Sequence, residues 1–197
     1  GIFYKNKLIM SIVIVLIVVL VVGGLIVKFY PYPKMTLANL LSESQIIPEM
    51  AAKERWQAIQ ELVDCLVASG KIDRADEDAI LESIRQREET MSTGIGFGIA
   101  IPHASSSKVG EVVAAFGRSS VGIQFDALDG EPVFFIVLFV VPKDQFQTHL
   151  RTLAAIAKFL NDKTVREELT KAENVSTILQ VFENRSGRPR ISQRHRL

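Results

Sequence analysis

The run from Val133 to Val141 is the feature that most limits what this 197-residue chain can fold into. Nine consecutive apolar residues are too few to cross a bilayer as a helix, which takes about 20. A strand that is apolar on both faces belongs to a sheet covered by helices on both sides. We therefore predict a three-layer α/β/α sandwich that contains this strand, with Pro142 ending it.

Helical periodicity is found on both sides of this strand in the sequence. Apolar residues recur on one stripe over 53–68, and a second helix is predicted over 74–89 with Asp73 as its N-cap. A third helix follows Asp144 as N-cap and carries His149 beside its apolar stripe. Its predicted buried residues are Phe146, Leu150, Leu153, Ala154, Ala157 and Leu160.

Residues 94–101 alternate large apolar side chains with glycine or alanine, and a pleated strand sends these two sets to opposite faces. We predict one strand here, with one face in the core and a bare face that leaves room for a partner. Pro102 restricts the backbone on both of its sides, so the direction of the chain at His103 is fixed locally. The pattern predicts an accessible nucleophilic histidine. The alternative is a polar residue that caps the edge of the core.

Several other kinds of site are excluded by spacing. The glycines form G-x-G-x-G, without the turn of a dinucleotide site or the Lys-Ser/Thr of a P-loop. Three histidines are present, His195 lies near the end of the chain, and neither His103 nor His149 has a third ligand at metal-site spacing. We expect no metal and no cofactor. The single cysteine, Cys65, excludes an intramolecular disulfide and suits a reducing compartment.

An unbroken apolar run from Ile9 to Val27 is long enough to cross a bilayer as a helix, and we predict a membrane anchor. A cleaved signal is disfavoured because no small-residue cleavage site follows before Lys28. The alternative is an over-extended start, with Met35 as the true first residue. The predicted organisation is an apolar N-terminal segment over 1–34, a folded domain over 35–184 and a tail over 185–197.

Charge is distributed unevenly along the chain. All 22 acidic residues but only 14 of the 23 Lys and Arg lie within 35–184, which gives the domain a net charge of −8. Such a surface disfavours nucleic acid and favours a partner with a basic patch. The tail is rich in arginine and lacks apolar periodicity, so we predict it to be disordered.

Short motifs follow one another through the folded domain. They are Arg87-Glu88, Ser92-Thr93-Gly94-Ile95-Gly96, Ala100-Ile101-Pro102-His103-Ala104, Phe125, Asp129-Gly130-Glu131-Pro132-Val133 and His149-Leu150. In this order, over roughly 36–184, they resemble the enzyme IIA domain, fructose/mannitol type, of the bacterial phosphoenolpyruvate:sugar phosphotransferase system. The resemblance implies a mixed, mostly parallel central sheet and a domain that faces the cytoplasm.

The resemblance also implies a phosphoryl relay. His103 would accept a phosphoryl group from the phosphocarrier HPr and pass it to a cysteine of an enzyme IIB partner, with Arg87 and His149 as further catalytic residues. The other implied positions are phosphate support by Thr93, Glu88 and Ser105, and partner docking at Gly94, Gly96 and Gly98. We expect Gly98→Val to leave the fold largely intact and to block docking.

Two other functions are compatible with the same residues. The first is a nitrogen-type regulatory IIA protein, whose phosphorylation state controls its binding to target proteins. The second is a membrane-tethered binding module without turnover. One departure concerns the residues after Ala104, where Ser105, Ser106 and Ser107 stand in place of the basic or glycine residue that the family often has. Partner choice is therefore expected to differ.

Overall fold

The computed structural model describes residues 36–185, which include nearly all of the predicted folded domain. The predicted membrane anchor over 9–27 and almost all of the arginine-rich tail lie outside the described residues. Between residues 36 and 185, no helix is long and apolar enough to cross a membrane.

Helices and strands alternate through the described part of the chain. The helices are α1 (Leu37–Leu40), α2 (Arg55–Ala68), α3 (Glu77–Thr90), α4 (Phe146–Asn161), α5 (Lys163–Lys171) and α6 (Val175–Arg185). The strands are β1 (Ile46–Ile47), β2 (Gly94–Gly96), β3 (Ile99–Ala100), β4 (His103–Ser106), β5 (Val113–Ile123) and β6 (Val133–Pro142). Short 3-10 turns lie at Glu43–Gln45 and Arg74–Asp76.

Strand β6, which contains the long apolar run, organises the sheet. The strand order of the sheet is β1-β5-β6-β3-β2, and β4 pairs with β6 along the same edge as β3. The pairs β1–β5, β3–β6 and β4–β6 are parallel, whereas β5–β6 and β2–β3 are antiparallel. The prediction of a mixed, mostly parallel sheet is confirmed.

Both faces of β6 are covered, as its apolar sequence predicts. Ile136, Leu138 and Val140 belong to a core cluster that contains side chains of α2 and α3. Phe135 and Phe139 belong to a second cluster, which contains side chains of α1, α4, α5 and α6. Helices on both faces of one sheet make three layers.

The helices differ from the predictions mainly at their first turns. Helix α3 begins at Glu77 because residues 74–76 form a 3-10 turn, with the amide of Asp76 bonded to the carbonyl of Asp73 at 2.9 Å. The predicted side-chain cap by Asp73 is therefore wrong. Helix α4 begins after Gln145, not Asp144, and has no side-chain cap.

The buried stripe of α4 is also displaced from its predicted positions. Leu150 is 42% exposed, whereas His149, Ile156 and Leu160 are buried. Positions 149, 153, 156 and 160 are spaced by three and four residues, which is a regular helical stripe. It keeps Leu153 and Leu160 from the predicted stripe, and it has His149 and Ile156 in place of the exposed Leu150 and Ala154. His149 is consequently part of the buried stripe and not beside it.

Residues 94–101 do not form the single strand that their alternation predicts. The backbone turns back at Gly96, Phe97 and Gly98, which have φ values of +94°, +56° and +74°. The amide of Phe97 donates to Oδ2 of Asp129 at 2.9 Å, which holds the turn. The chain therefore forms a hairpin of β2 and β3, because glycine on each side of Phe97 permits left-handed backbone where a strand would otherwise continue.

Candidate active site

His103 is the first residue of β4, directly after Pro102. Its partner across the parallel β4–β6 pair is Phe139, and the amide of Phe139 donates to the carbonyl of Pro102 at 3.0 Å. The imidazole is half-buried. On its outer side, the ring of Phe146 from α4 stacks at 6.3 Å between centroids, with an interplanar angle of 18°. The ring is thus held between the sheet and α4.

The hydrogen bonds of His103 define its tautomer. Nδ1 lies 2.8 Å from the carbonyl oxygen of Ile101, which can only accept, so Nδ1 carries the proton. Nε2 lies 3.3 Å from Nε of Arg87, which can only donate, so Nε2 presents a lone pair. Nε2 is therefore the ring nitrogen whose lone pair is not protonated.

Several groups act on the charge of the imidazole. Burial is the largest cause and lowers the pKa of His103 below its ordinary value of 6.5. The Arg87 guanidinium lowers the pKa further, whereas the Ile101 carbonyl and the Glu88 carboxylate oppose these effects. With a lowered pKa, the ring is neutral at pH 7 and its Nε2 lone pair is available.

Arg87 projects from the last turn of α3 toward His103. Its Nη1 donates to the carbonyl of Met91 at 3.0 Å, which fixes the guanidinium. Arginine has five N–H donors and remains protonated, so donors beyond these two contacts are available for an anion beside Nε2. The prediction that Arg87 and His103 lie together agrees with this geometry.

Glu88 and Thr93 form a buried pair behind the histidine. Oε1 and Oε2 of Glu88 accept from the Thr93 amide at 2.8 Å and from the Thr93 hydroxyl at 2.6 Å. The Thr93 carbonyl accepts from the amide of Ile101 at 3.0 Å, and Ile101 in turn holds Nδ1 of His103. Because the Thr93 hydroxyl is already bonded to Glu88, both residues support the backbone at His103. Their role in phosphate support stays a prediction, and in this geometry it would act through the backbone that leads to His103.

His149 is 7% exposed and lies beside the sheet residue that pairs with His103. Its ring packs edge-on against Phe139 at 6.3 Å, and its Nε2 lies 3.5 Å from Oε1 of Gln145. Burial lowers the pKa of His149, so its ring is also neutral at pH 7. Within residues 36–185, no hydrogen bond joins the imidazoles of His103 and His149. Phe139 lies between them, because it pairs with His103 in the sheet and packs against the ring of His149.

A pocket of about 500 Å³ opens next to His103. Its walls come from α3, from β4 with the residues after it, and from the segment that joins β6 to α4. The lining residues are Ala79, Ser83, Gln86, Arg87, His103, Ala104, Ser105, Ser106, Ser107, Lys108, Lys143 and Phe146. Ser105 therefore lines the pocket beside His103, whereas Thr93, Glu88 and His149 do not.

Sequence reasoning missed Lys143 and Phe146, and one signal could have found them. Lys143 directly follows Pro142 at the carboxyl end of β6, and β4 ends at the same edge because the two strands are parallel. Ligand sites of open α/β sheets lie at such edges.

The three glycines named for docking do not form a bare face. A Cβ atom at Gly94 would lie 2.7 Å from Cα of Ala127, and one at Gly98 would lie 2.9 Å from Cδ2 of Phe134. A Cβ atom at Gly96 would lie 3.0 Å from Oδ2 of Asp129. These glycines give space to Ala127, Asp129 and Phe134 of the same chain, so the expectation of a bare face is wrong. The exposed large side chains of this hairpin are Ile95 and Phe97.

No group of three or more His, Cys, Asp or Glu side chains within residues 36–185 is arranged to hold a metal ion.

Comparisons with known proteins agree with this fold. The chain is 40% identical over 125 residues to a fructose-specific EIIA component from Haloferax volcanii, covering 64% of this chain and 80% of that protein. It is 30% identical over 148 residues to a nitrogen regulatory protein from Bradyrhizobium diazoefficiens, covering 75% of this chain and 95% of that one.

Among solved structures, the nitrogen regulatory protein IIA-Ntr from Neisseria meningitidis matches with a TM-score of 0.67 and 29% identity. The match covers 74% of this chain and 98% of that chain. Residues 39–185 match the model of the family described as phosphoenolpyruvate-dependent sugar phosphotransferase system, EIIA 2. The chain therefore belongs to the EIIA type-2 family of the phosphoenolpyruvate-dependent sugar phosphotransferase system.

Proposed function

We propose that this protein is a phosphoryl carrier that holds the phosphoryl group on Nε2 of His103. The observation that carries the proposal is the pair of contacts on one ring: Nδ1–H is held by Ile101 and Nε2 faces Arg87. A neutral ring with a directed lone pair can attack phosphorus, and an adjacent guanidinium can receive the charge of the phosphoryl oxygens.

In the proposed reaction, the Nε2 lone pair forms a bond to the phosphorus of a phosphohistidine on an HPr-type carrier. The phosphorus–nitrogen bond of the donor breaks, and its electron pair returns to the donor imidazole. The proton of His103 stays on Nδ1 throughout and is donated to the Ile101 carbonyl in a hydrogen bond. In the second step, a thiolate of an enzyme IIB partner attacks the phosphorus, and the bond to Nε2 breaks with its electron pair returning to His103.

Positioning and charge stabilisation account for most of the catalysis in such a transfer. Arg87 donates to the phosphoryl oxygens, and the Ser105 hydroxyl is a further donor at the pocket wall. We assign the second histidine, His149, a positioning role, because it packs against Phe139, the residue that pairs with His103, and its neutral ring adds no fixed charge there. Glu88 and Thr93 hold the carbonyl of Ile101 in place.

The function requires partners that the domain meets in the cytoplasm: an HPr-type donor and an enzyme IIB acceptor. If residues 9–27 anchor the chain in a membrane, the domain over 35–184 must lie on the cytoplasmic side. No nucleic acid is needed, and the net charge of −8 suits basic protein partners.

A second candidate is regulation of the nitrogen type, with the phosphoryl group on His103 acting as a signal for target proteins. It is favoured by relatives of that name, one of which is covered over 95% of its length. Both candidates share the chemistry at His103, so they differ only in where the phosphoryl group goes. A binding module without turnover would leave His103 unphosphorylated.

The test is intact-mass analysis of the full chain after incubation with phosphoenolpyruvate, enzyme I and HPr. We expect one acid-labile phosphoryl group on the native chain and on His149→Asn, and none on His103→Asn. Adding an enzyme IIB then distinguishes the candidates, because a carrier loses the group to the IIB cysteine. A folded native chain that gains no phosphoryl group from a cognate HPr would refute both.

A further inference from the structure

We propose that the pocket beside His103 binds a small phosphate monoester of a polyol, and that the bound molecule blocks phosphorylation of His103. The inference rests on the proposed function, because it concerns regulation of the same histidine. Binding itself requires no phosphoryl transfer, so the two can be tested separately.

The size of the pocket exceeds what one phosphoryl group on Nε2 requires. Its volume of about 500 Å³ falls within the range of roughly 300–1,000 Å³ that is usual for small-molecule sites. A phosphoryl group held by His103 and Arg87 occupies only the end of the pocket at these two residues. The remaining space lies along β4 and the residues that follow it.

The charge of the pocket differs from that of the domain around it. Its lining contains three cations, Arg87, Lys108 and Lys143, and no carboxylate, although residues 35–184 carry a net charge of −8. Lys108 is paired with Asp76 at 2.8 Å, which offsets part of its charge. Lys143 is exposed and makes no ion pair within residues 36–185. An anion is the ligand that matches this lining.

The cations lie at two ends of the pocket. The amide of Lys143 donates to the carbonyl of Ser106 at 3.1 Å, and Ser106 follows His103 by three residues in β4. At the rise of an extended strand, the backbone of Ser106, and with it Lys143, lies roughly 10 Å from the backbone of His103. A phosphate group near Lys143 would therefore leave room for an attached body that reaches toward Nε2 of His103.

The walls between these ends are polar. Ser105 and Ser107 have side chains without hydrogen bonds within the described part of the chain, and the amide oxygen of Gln86 is also unbonded there. Ser83 donates its hydroxyl to the carbonyl of Ala79 and can still accept. These groups suit a ligand body that carries several hydroxyls, whereas the one aromatic wall, Phe146, covers the histidine.

The first experiment measures binding to the unphosphorylated full chain by isothermal titration calorimetry, with no phosphoryl donor present. Fructose 1-phosphate is the main probe, and inorganic phosphate and fructose are its two halves. We expect fructose 1-phosphate to bind at least tenfold more tightly than either half. Lys143→Ala should weaken it about tenfold, as loss of a charged hydrogen bond does. Lys158→Ala, an exposed lysine of α4 outside the pocket, is the matched control and should not change binding.

The second experiment measures the rate of His103 phosphorylation by HPr at saturating fructose 1-phosphate, with fructose as the control. Slowing by the phosphate ester alone supports the proposal. Three results would overturn the proposal: inorganic phosphate binding as tightly as fructose 1-phosphate, Lys143→Ala and Lys158→Ala changing the affinity for fructose 1-phosphate equally, or no binding of fructose 1-phosphate at all. Binding to a chain that HPr never phosphorylates would instead overturn the proposed function and the regulatory part, and would support the binding site.

Discussion

Gly98→Ala should destabilise the protein more than Gly130→Ala, although the two glycines have the same φ angle. Both have φ of +74°, so the unfavourable left-handed conformation of an alanine, about 1–2 kcal/mol, is common to both variants. At Gly98, a Cβ atom would lie 2.9 Å from Cδ2 of Phe134, whereas nothing lies within 4 Å of a Cβ atom at Gly130. The difference between the variants therefore isolates one steric contact.

The size of this difference follows from the freedom of Phe134. Overfilling a packed site destabilises proteins by about 1–3 kcal/mol. The Phe134 ring is 37% exposed and can shift partly toward solvent, which favours the lower half of that range. The backbone cannot shift as easily, because the amides of Phe134 and Phe135 both donate to the carbonyl of Gly98, at 2.8 and 3.0 Å. We expect about 2–4 kcal/mol for Gly98→Ala against about 1–2 kcal/mol for Gly130→Ala.

Urea unfolding of the full-length variants, followed by circular dichroism, measures both free energies of unfolding at one pH and salt concentration. Equal destabilisation by the two variants would refute the claim that Gly98 is required by contact with Phe134. The same reasoning reverses the expectation for Gly98→Val. A larger side chain there should damage the fold, so loss of phosphorylation in that variant would not indicate loss of docking.

Three further predictions concern the site. Below pH 6.5 the rate of His103 phosphorylation should rise with pH and level off above the lowered pKa of His103. Because the Arg87 guanidinium helps to lower this pKa, Arg87→Ala should move the rise to higher pH. Quenched-flow mass analysis measures both profiles, and an unmoved profile contradicts the electrostatic role of Arg87. Thr93→Val should lower the free energy of unfolding by about 1–3 kcal/mol, because Glu88 loses a buried partner, while Thr93→Ser should be close to native in thermal unfolding. His149→Asn should slow phosphorylation, and peptide mapping should still locate the phosphoryl group on His103. A phosphoryl group on another residue would argue against Nε2 of His103 as the nucleophile.

Stability should also depend on pH through the two histidines. Burial lowers the pKa of both His103 and His149 below 6.5, so the unfolded chain binds protons more readily than the folded one. Their contribution is complete above pH 6.5 and is lost as pH falls from there through the lowered values. In the variant with both histidines replaced by asparagine, the free energy of unfolding should depend less on pH below 6.5 than it does in the native chain.

The layers of the fold could be predicted from the sequence because burial on both faces leaves a direct signal. A run such as 133–141 has no polar position at all, so it has few alternatives to a sheet covered twice. The stripe of α2 is equally direct, since Ile59, Leu62, Val63 and Leu66 are buried at helical spacing.

The hairpin at 94–101 could not be predicted in the same way. Alternation has a period of two in one long strand and in two short strands alike, so it contains no information on where the chain reverses. The reversal depends on Asp129, more than 30 residues away, which accepts from the Phe97 amide. Likewise, the hydroxyl of Thr93 could not be assigned to Glu88 without knowing that both are buried.

The break in the strand between β3 and β4 explains why this sheet can present a directed imidazole. β3 and β4 pair with the same edge of β6, but Ile101 and Pro102 belong to neither strand. Through this break, the carbonyl of Ile101 accepts from Nδ1 of His103, and its amide donates to Thr93. An uninterrupted strand would direct that carbonyl into the sheet's backbone hydrogen bonds, and either ring nitrogen of His103 could then carry the proton. Pro102, which has no amide hydrogen and restricts Ile101 to extended conformations, makes the break compatible with continued pairing. The proposed role of Nε2 as the nucleophile therefore depends on the backbone at Ile101 as much as on the histidine.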